Sequence, residues 1–395
     1  MRRSSFRSAL RFGFALAAAL ALAGCSVPTF LVDADLDDDG VVTAADVSHA
    51  TACLGTLLPA PSGAVDRGGC PIRSAPDASG CAAADVDGDR VVTPADVALV
   101  AGRLGLAVCN GSEALCERRF DEVAYATTHN AMAARFAPYD YSILISNQCS
   151  GVPTQLADGI RALMLDIHWY QPPEADAPDL YLCHSECDYG HQLLVDGLAE
   201  VRAFLDAHPA EVVSFIIETN GDTAPREAAI RDAFAASGLA PYALAQPRGA
   251  PWPTLGEMIA ADQRLVVLTD DSTPHAGCLA DGAPCPWYLY EWDGYAFETH
   301  FSYGQPDDLS CDDNRGEPGN DLFILNHFLT NNVGAPQFAR QVNFDPLLSR
   351  RARDCWAVHG RIPNFPTVDF YEIGSVVRTA NLLNFLWSQT GGAAP

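Results

Sequence analysis

The segments IRALMLDI (residues 160–167) and VVSFIIE (residues 212–218) follow one pattern, in which a short apolar run ends at an acidic residue. Such runs, alternating with helical stretches, are typical of buried strands in an α/β fold with mostly parallel strands. Between the two segments lies the apolar face of a predicted helix that ends at His208-Pro209: Leu198, Val201, Phe204 and Leu205. We therefore predict a βα repeat here.

The same alternation continues along the chain from about residue 118. The strand candidates are Ala162 to Ile167, Leu180 to Cys183, Val212 to Ile217, Leu265 to Thr269, Leu322 to Leu325 and Thr367 to Phe370. Polar residues recur at the carboxyl ends of these runs: Asp166, His184, Glu218, Asn326 with His327, and Asp369. Each taken singly is explained as a capping or solvated residue, but in a βα barrel these ends converge on one mouth. We predict a TIM-barrel-like, closed or distorted, domain over residues 118–390 with its site at that mouth.

Two acidic loops precede this domain, DLDDDGVVTAAD (residues 35–46) and DVDGDRVVTPAD (residues 85–96). Oxygen ligands at positions one, three, five, seven, nine and twelve of such a loop suit calcium. Gly40 fills the sharp turn at position six, whereas Arg90 there predicts strain and a weaker second site. The predicted ligands, with a backbone carbonyl from each Val, are Asp35, Asp37, Asp39, Val41, Thr43 and Asp46 in the first loop, and Asp85, Asp87, Asp89, Val91, Thr93 and Asp96 in the second.

Each loop leads into a predicted helix, with Leu54 and Leu104 placed on the apolar faces. A loop that ends in Asp and is followed by a helix resembles a dockerin-type repeat, so residues 31–108 are predicted to form a small α-helical, EF-hand-like domain. The interval from Pro59 to Cys81 is longer than a usual dockerin linker. Two interpretations stay open: a module that binds a protein partner, and a calcium-stabilised spacer.

The amino terminus has the pattern of a bacterial export signal. Four arginines among the first eleven residues precede an apolar run from Phe12 to Ala23, which is too short to span a bilayer. The run closes on Leu22-Ala23-Gly24-Cys25, which resembles a lipobox and predicts a signal peptide over residues 1–25 with lipidation of Cys25. We expect an exported protein anchored to a bacterial membrane, the outer one in a diderm since Ser26 follows, or else a secreted protein.

Composition supports export and excludes one class of partner. The net charge of −26 argues against nucleic-acid binding, which needs basic stripes. Of thirteen cysteines, the twelve other than Cys25 form an even number, as a disulfide framework in an exported protein requires. The close pairs Cys183/Cys187 and Cys278/Cys285 are predicted disulfides.

Several blocks in the large domain resemble the X domain of phosphatidylinositol-specific phospholipases C, most of all the exported, cysteine-containing branch of plants, fungi and bacteria. They occur in family order over about residues 119–388. The blocks are ATTHN (126–130), QLADGIR (155–161) with LMLD (163–166), LCH (182–184), EVV (211–213) through Glu218, LNHF (325–328), PNF (363–365) and VDFY (368–371).

The resemblance implies a division of roles. His129 would be the general base that deprotonates the inositol 2-hydroxyl, and His184 the general acid that protonates the departing diacylglycerol oxygen. Asp166 stands where metal-independent members carry an Arg, which favours calcium, whereas Met164 replaces an expected Glu ligand. Calcium would be held by Asn130, Asp166 and Glu218; Arg161 would touch phosphate or pack beneath the barrel; His327 and Asp369 would orient a histidine or bind the head group.

The expected function is therefore a calcium-assisted phosphodiesterase acting on a phospholipid at a membrane surface. A glycerophosphodiesterase or sphingomyelinase-like enzyme on the same barrel is an alternative, although those relatives place a Glu-x-Asp pair where this chain has Met164-Leu165-Asp166. A third interpretation is a non-catalytic surface lipoprotein that binds a partner through its acidic repeats. Deleting residues 26–110 is expected to spare an enzyme and to abolish partner binding.

Overall fold

The computed structural model describes residues 33–58, 63–72, 79–173, 175–219, 226–271, 286–330 and 335–395. The predicted signal peptide, Cys25 and the Cys278/Cys285 pair lie outside these residues. The strands are β1 (Thr127–Thr128), β2 (Ala162–Tyr170), β3 (Asp179–Leu182), β4 (Gln192–Leu193), β5 (Val213–Thr219), β6 (Leu265–Thr269), β7 (Tyr288–Tyr290), β8 (Ala296–Glu298), β9 (Leu322–Asn326) and β10 (Phe365–Val368).

Eight of the strands form a curled sheet in the order β7-β6-β5-β2-β1-β10-β9-β8, and every neighbouring pair in this path is parallel. The sheet begins at β7 and ends at β8, so within the described residues it is an open version of the predicted barrel. The register pairs Asp166 with Glu218, and Thr128 with Val368. The carboxyl ends of these strands therefore lie side by side at one mouth.

One predicted barrel strand has a different role. The run from Leu180 to Cys183 does form a strand, β3, but it pairs antiparallel with the outer half of β2 and with β4. The nine-residue β2 continues past the mouth as far as Tyr170. Its parallel pairing with β5 ends at Ile167, and from there the chain forms an antiparallel hairpin with β3. His184, just after β3, therefore reaches the mouth from above.

The helices are α1 (Ala44–Ala52), α2 (Pro94–Ala101), α3 (Val152–Ala157), α4 (Leu194–Ala207), α5 (Arg226–Ala236), α6 (Leu255–Ala260), α7 (Pro336–Val342), α8 (Leu347–His359) and α9 (Val376–Thr390). The predicted apolar face of α4 is confirmed: its four marker residues pack in the layer between sheet and helices. Side chains alternate along β2, so Leu163 and Leu165 enter this outer layer while Met164 enters the barrel interior. No helix in the described part of the chain combines the length and hydrophobicity needed to cross a membrane.

The N-terminal module packs α1 against α2 around its own small core. Thr43 and Thr93 cap the two helices, each in a reciprocal box with the Asp three residues later. Leu54 and Leu104 do not lie on helical faces as predicted, because the helices end before them and both side chains are exposed.

Five disulfides join described cysteines, and one of them joins the two domains. The predicted Cys183–Cys187 pair is present, together with Cys53–Cys81, Cys70–Cys149, Cys109–Cys116 and Cys311–Cys355. At the amino end of β5, opposite the mouth, the Asn110 side chain exchanges two hydrogen bonds with the backbone of Val212, at 2.7 and 3.1 Å. The module is therefore fastened to the barrel at two separate places.

Candidate active site

His129 and Asp369 meet because their strands are neighbours. β1 ends at Thr128 and β10 at Val368, and these two residues are in register, so the next residue of each chain segment leaves the sheet at the same level. His129 Nδ1 lies 2.8 Å from Asp369 Oδ1. The imidazole ring stacks on Phe328, with ring centroids 4.0 Å apart. Carboxylate and ring together fix the histidine's orientation.

His184 faces the same point from the hairpin side. Its Nδ1 lies 2.7 Å from the carbonyl oxygen of Ile145, and because a carbonyl only accepts, Nδ1 carries the proton. One terminal atom of the Asn130 amide lies 3.2 Å from His184 Nε2 and 3.3 Å from His129 Nε2. The two Nε2 atoms therefore converge on one small region of the mouth.

The surroundings move the pKa values of the two histidines in opposite directions. Burial disfavours a charged His129, but the Asp369 carboxylate overcomes it and raises the pKa above its ordinary value. Burial lowers the pKa of His184; its bond to Ile145 opposes the shift and the nearby His129 adds to it. The raised pKa favours the imidazolium form of His129 and the lowered pKa favours the neutral form of His184, so these shifts do not by themselves assign the roles of acid and base.

The predicted metal ligands Asp166 and Glu218 lie side by side on β2 and β5. Burial, followed by the charge of Glu218, raises the pKa of Asp166 well above its usual range. Asn147 Nδ2 donates to Asp369, so Asn147 Oδ1 accepts from Asn130 Nδ2, and this leaves the Asn130 oxygen 3.2 Å from Asp166 Oδ1. Two adjacent carboxylates and an amide oxygen form a donor set of the type that suits calcium, since a divalent cation relieves their repulsion. Met164 lies in the apolar interior that floors this set.

The acidic loops also bring their predicted ligands together. Carboxylate oxygens of Asp35, Asp37 and Asp39 lie within 4.8 Å of one another, as do those of Asp85, Asp87 and Asp96. Asp85 Oδ1 is buried without a hydrogen-bond partner, as expected of an atom suited to a cation.

The remaining predicted ligands of these loops are held by backbone bonds. Asp46 accepts from the amides of Leu36 and Thr43 and is fully buried. Asp39 and Asp89 accept from the amides of Val41 and Val91. Both loops fit calcium, and Arg90 adopts the unfavourable φ of +74° that its position predicts.

Comparison with known proteins identifies both parts of the chain. The PI-PLC X family model matches residues 115–384, and the dockerin type I domain model matches residues 33–105. The chain belongs to the PI-PLC X family. It is 30% identical over 306 residues to PI-PLC X domain-containing protein 1 of Arthroderma benhamiae, covering 71% of this chain and 90% of the relative.

Other relatives of this PI-PLC X protein are matched over part of their length. An uncharacterized secreted protein of the same fungus is 29% identical (68% of this chain, 61% of the relative), and an Arabidopsis thaliana PI-PLC X domain-containing protein is 28% identical (64% and 58%). Among solved structures, the phosphatidylinositol-specific phospholipase C of Listeria monocytogenes aligns with a TM-score of 0.44, 15% identity and coverage of 68% and 95%. That of Staphylococcus aureus aligns with a TM-score of 0.47, 12% identity and coverage of 67% and 94%.

Two predicted residues of the PI-PLC X domain lie away from the histidines. Arg161 directly precedes β2, so it lies at the amino ends of the strands, opposite the mouth. There it pairs with Glu211 and donates to the carbonyls of Leu156 and Ile160. These are packing contacts at that end of the strands. Of the remaining candidates, Asp369 orients His129 as described above.

His327 is buried beside Arg351 and lies 2.9 Å from the carbonyl of Val342. Burial, then the Arg351 charge, lowers its pKa to about 3. Among the hydrogen bonds of the described residues, none joins His327 to His129 or His184.

The mouth of the PI-PLC X domain contains residues that the sequence did not single out. Arg315 donates to Glu298 Oε1 and, at 3.2 Å, to Glu218 Oε1, and its guanidinium lies 4.8 Å from the Trp292 ring centroid. Glu298 ends β8, which is three residues long and too short to show a strand period. The sequence signal that could have identified Glu298 is the short apolar run that ends in an acid, Ala296–Glu298.

Proposed function

We propose that this PI-PLC X protein is an exported phosphodiesterase that cleaves the head-group phosphodiester of phosphatidylinositol or a related glycerophospholipid. The observation that carries the proposal is the convergence of His129 Nε2 and His184 Nε2 on the Asn130 amide, 3.3 and 3.2 Å away. Two imidazoles that face one point from opposite sides suit a reaction in which one proton is removed and another is delivered.

Each histidine has a partner that fixes its tautomer. The Asp369 carboxylate accepts from His129 Nδ1, which leaves Nε2 to take the proton of the attacking inositol 2-hydroxyl. The Ile145 carbonyl accepts from His184 Nδ1, so that Nε2, when protonated, supplies the proton to the diacylglycerol oxygen. The P–O bond to diacylglycerol breaks as the bond from the 2-hydroxyl oxygen forms, giving a cyclic phosphate.

Calcium assistance is part of the proposal. Asn130, Asp166 and Glu218 would hold the ion, and a bound calcium supplies positive charge that stabilises the charge developing on the phosphoryl oxygens. The buried Asp166 beside Glu218 supports this assignment, because burial and the charge of Glu218 disfavour an ionised Asp166, and Arg315 contacts Glu218 of this pair.

Exposed apolar side chains around the mouth support a lipid substrate. Ile143 and Leu144 precede the carbonyl that binds His184 and are 53% and 56% exposed. The Tyr189 carbonyl accepts from the Ser142 amide and its side chain is 52% exposed, so it lies beside them. Trp169, on the hairpin that extends past the mouth, is also exposed. Aromatic and aliphatic side chains on loops at an active-site mouth suit contact with a membrane interface.

Export is supported by the disulfides and by the secreted Arthroderma benhamiae relative. We also propose lipid anchoring through Cys25, on the basis of the lipobox pattern, and a protein partner for the repeats, on the basis of the dockerin type I match over residues 33–105.

The decisive experiment is product analysis by phosphorus NMR on vesicles containing phosphatidylinositol, with calcium and with a chelator. We expect a cyclic or linear inositol phosphate from the wild type, and a loss of at least about 10³-fold in kcat for His129→Ala and His184→Ala. Asp369→Asn should lose about 10²-fold or more, because an amide lacks the carboxylate's charge and can donate to Nδ1, which favours the wrong imidazole tautomer. The half-buried His49→Ala, in the N-terminal module, is the control. Near-wild-type turnover in both histidine variants would contradict the mechanism, and unchanged turnover after chelation would contradict the calcium assignment.

A further inference from the structure

One short segment, residues 145–149, contacts both proposed catalytic histidines; we call it the site loop. Its first residue, Ile145, accepts the bond from His184 Nδ1 at 2.7 Å. Gln148 Nε2 donates to the carbonyl oxygen of His129, also at 2.7 Å. Asn147 Nδ2 donates to Asp369 Oδ1 at 3.0 Å, the oxygen that His129 also contacts.

The site loop is fully integrated with the end of β10. The amide of Phe370 donates to the Asn147 carbonyl at 2.6 Å, and the amide of Tyr371 donates to Gln148 Oε1 at 3.1 Å. Asn147 Oδ1 also accepts a hydrogen bond from Asn130 Nδ2, at 3.1 Å, and Asn130 is the residue on which the two histidines converge. Every residue of the loop is buried. A shift of this loop therefore moves His129, its carboxylate and the acceptor of His184 together.

The site loop ends at Cys149, which is bonded to Cys70 of the N-terminal module. Cys70 lies in residues 63–72, here called the strap, within the unusually long interval between the two acidic loops. The strap is ordered by Asp66, whose Oδ1 accepts from the amide of Cys70 at 2.7 Å. Asp66 Oδ2 also accepts from Arg135, at 2.9 Å, on the barrel side. Arg340, on α7, donates to the carbonyl of Gly69.

We propose that Asn147 and Gln148 are positioning residues for the histidine pair, and that the strap, through Cys70–Cys149, holds the site loop in the geometry that catalysis needs. The proposal rests on the proposed function for its effect on turnover. The long interval in the dockerin-type module then has an intramolecular role: it supports the active site of the same chain.

The test removes the disulfide with Cys70→Ala/Cys149→Ala in the full chain, and compares it with Cys53→Ala/Cys81→Ala. The control removes a disulfide confined to the N-terminal module. Because a misplacement of about 1 Å costs on the order of 10²-fold in rate, we expect the first variant to lose about tenfold or more in kcat with little change in KM. The control should keep kcat within about twofold.

A second readout does not require turnover. Hydrogen exchange, followed by mass spectrometry, should accelerate in residues 145–149 and 368–373 of the Cys70/Cys149 variant and stay unchanged there in the Cys53/Cys81 variant. A third variant, Asn147→Ala, keeps the disulfide and should lower kcat about tenfold at unchanged KM, even if the disulfide variants fold poorly.

The outcomes separate the two proposals. If wild-type protein cleaves no phosphodiester but exchange accelerates as expected, the proposed function fails and the role of the strap stands. Equal exchange at 145–149 and 368–373 in both disulfide variants would overturn the inference, and so would wild-type kcat in Asn147→Ala.

Discussion

At the residue scale, the site depends on acceptors that fix single nitrogen atoms. Asp369 and the Ile145 carbonyl each bind an Nδ1, so both Nε2 atoms turn toward Asn130. The sequence pointed to the two histidines through their motifs. Their acceptors were not assigned, because a backbone carbonyl carries no sequence signal and Asp369 had two interpretations of equal standing.

Glu372 offers a prediction at this scale. Burial raises its pKa from 4.5 to about 7, against the opposing effect of backbone hydrogen bonds such as that from Ser150. The folded state therefore binds more protons than the unfolded state between these two values, and stability falls as pH rises through that window. Gln keeps the acceptor for Ser150 and removes the charge. We expect Glu372→Gln to be near neutral at pH 4 and stabilising by about 2 kcal/mol at pH 8.

Urea unfolding of the wild type and Glu372→Gln at several pH values measures this difference. The exposed Glu117→Gln is the control and should show no such pH trend. A difference that does not grow between pH 4 and pH 8 would refute the assigned titration of Glu372.

At the element scale, the segment between β10 and α9 sets the position of Asp369. Gly374 there has φ +127°, and a Cβ on it would lie 2.3 Å from the carbonyl oxygen of Asn343. Asn343 in turn donates to the carbonyl oxygen of Asp369 at 2.7 Å. A close approach to backbone cannot be relieved by rotating a side chain, so the cost of a larger residue falls on the segment that carries Asp369.

We therefore expect Gly374→Ala to destabilise the fold by about 3 kcal/mol or more and to lower turnover. Gly391→Ala is the matched control, since Gly391 also has positive φ, at +63°, but has no atom within 4 Å of an added Cβ. The control should lose only about 1 kcal/mol, the cost of the backbone conformation alone. Urea unfolding measures both, and equal losses would show that the contact with Asn343 is unimportant.

At the scale of the whole molecule, the N-terminal module is fastened at both ends of the barrel. Opposite the mouth, Oδ2 of Asp38 in the first acidic loop lies 3.2 Å from His208 Nδ1. Asn110 binds the backbone of Val212 at the same end of the sheet. The strap reaches the mouth through Cys70–Cys149. Deleting residues 26–110 would remove all three connections, so loss of activity in that truncation would no longer distinguish an enzyme from a binding protein.

The contact between loop and barrel predicts that calcium stabilises the whole chain. A ligand at about 100 times its Kd adds about 2.7 kcal/mol, which raises the melting temperature of a large domain by several degrees. Asp37→Ala with Asp87→Ala should remove the part of this rise that the two loops contribute, because each substitution deletes a carboxylate from one loop, and should leave the part due to the proposed ion at Asn130, Asp166 and Glu218.

Calorimetry of the full chain with calcium and with a chelator tests this prediction. The control is Asp232→Ala, which changes an exposed aspartate of α5 outside both loops. No rise in the wild type, or an undiminished rise in the loop variant, would contradict calcium binding at the two loops.

The sequence by itself determined the fold class and the family, and it predicted the candidate site residues. The longer strands, the helix α4, the acidic loops and the Cys183–Cys187 disulfide each depend on residues that are close together in the chain. A local sequence pattern was therefore sufficient to predict them. The same local reasoning missed β7 and β8, which are three residues each, and assigned β3 to the barrel although it is part of a hairpin.

Only the tertiary structure decided how the site is held together. His129 and Asp369 are 240 residues apart, and Cys70 and Cys149 are 79 apart. His129 and Asp369 meet because the sheet places β1 beside β10, so that segments distant in sequence leave it at adjacent points, whereas Cys70 and Cys149 meet because the N-terminal module packs on the barrel. Strand order is a property of global packing that no local pattern encodes. The support from Asn147, Gln148 and Arg315 therefore became visible only in three dimensions.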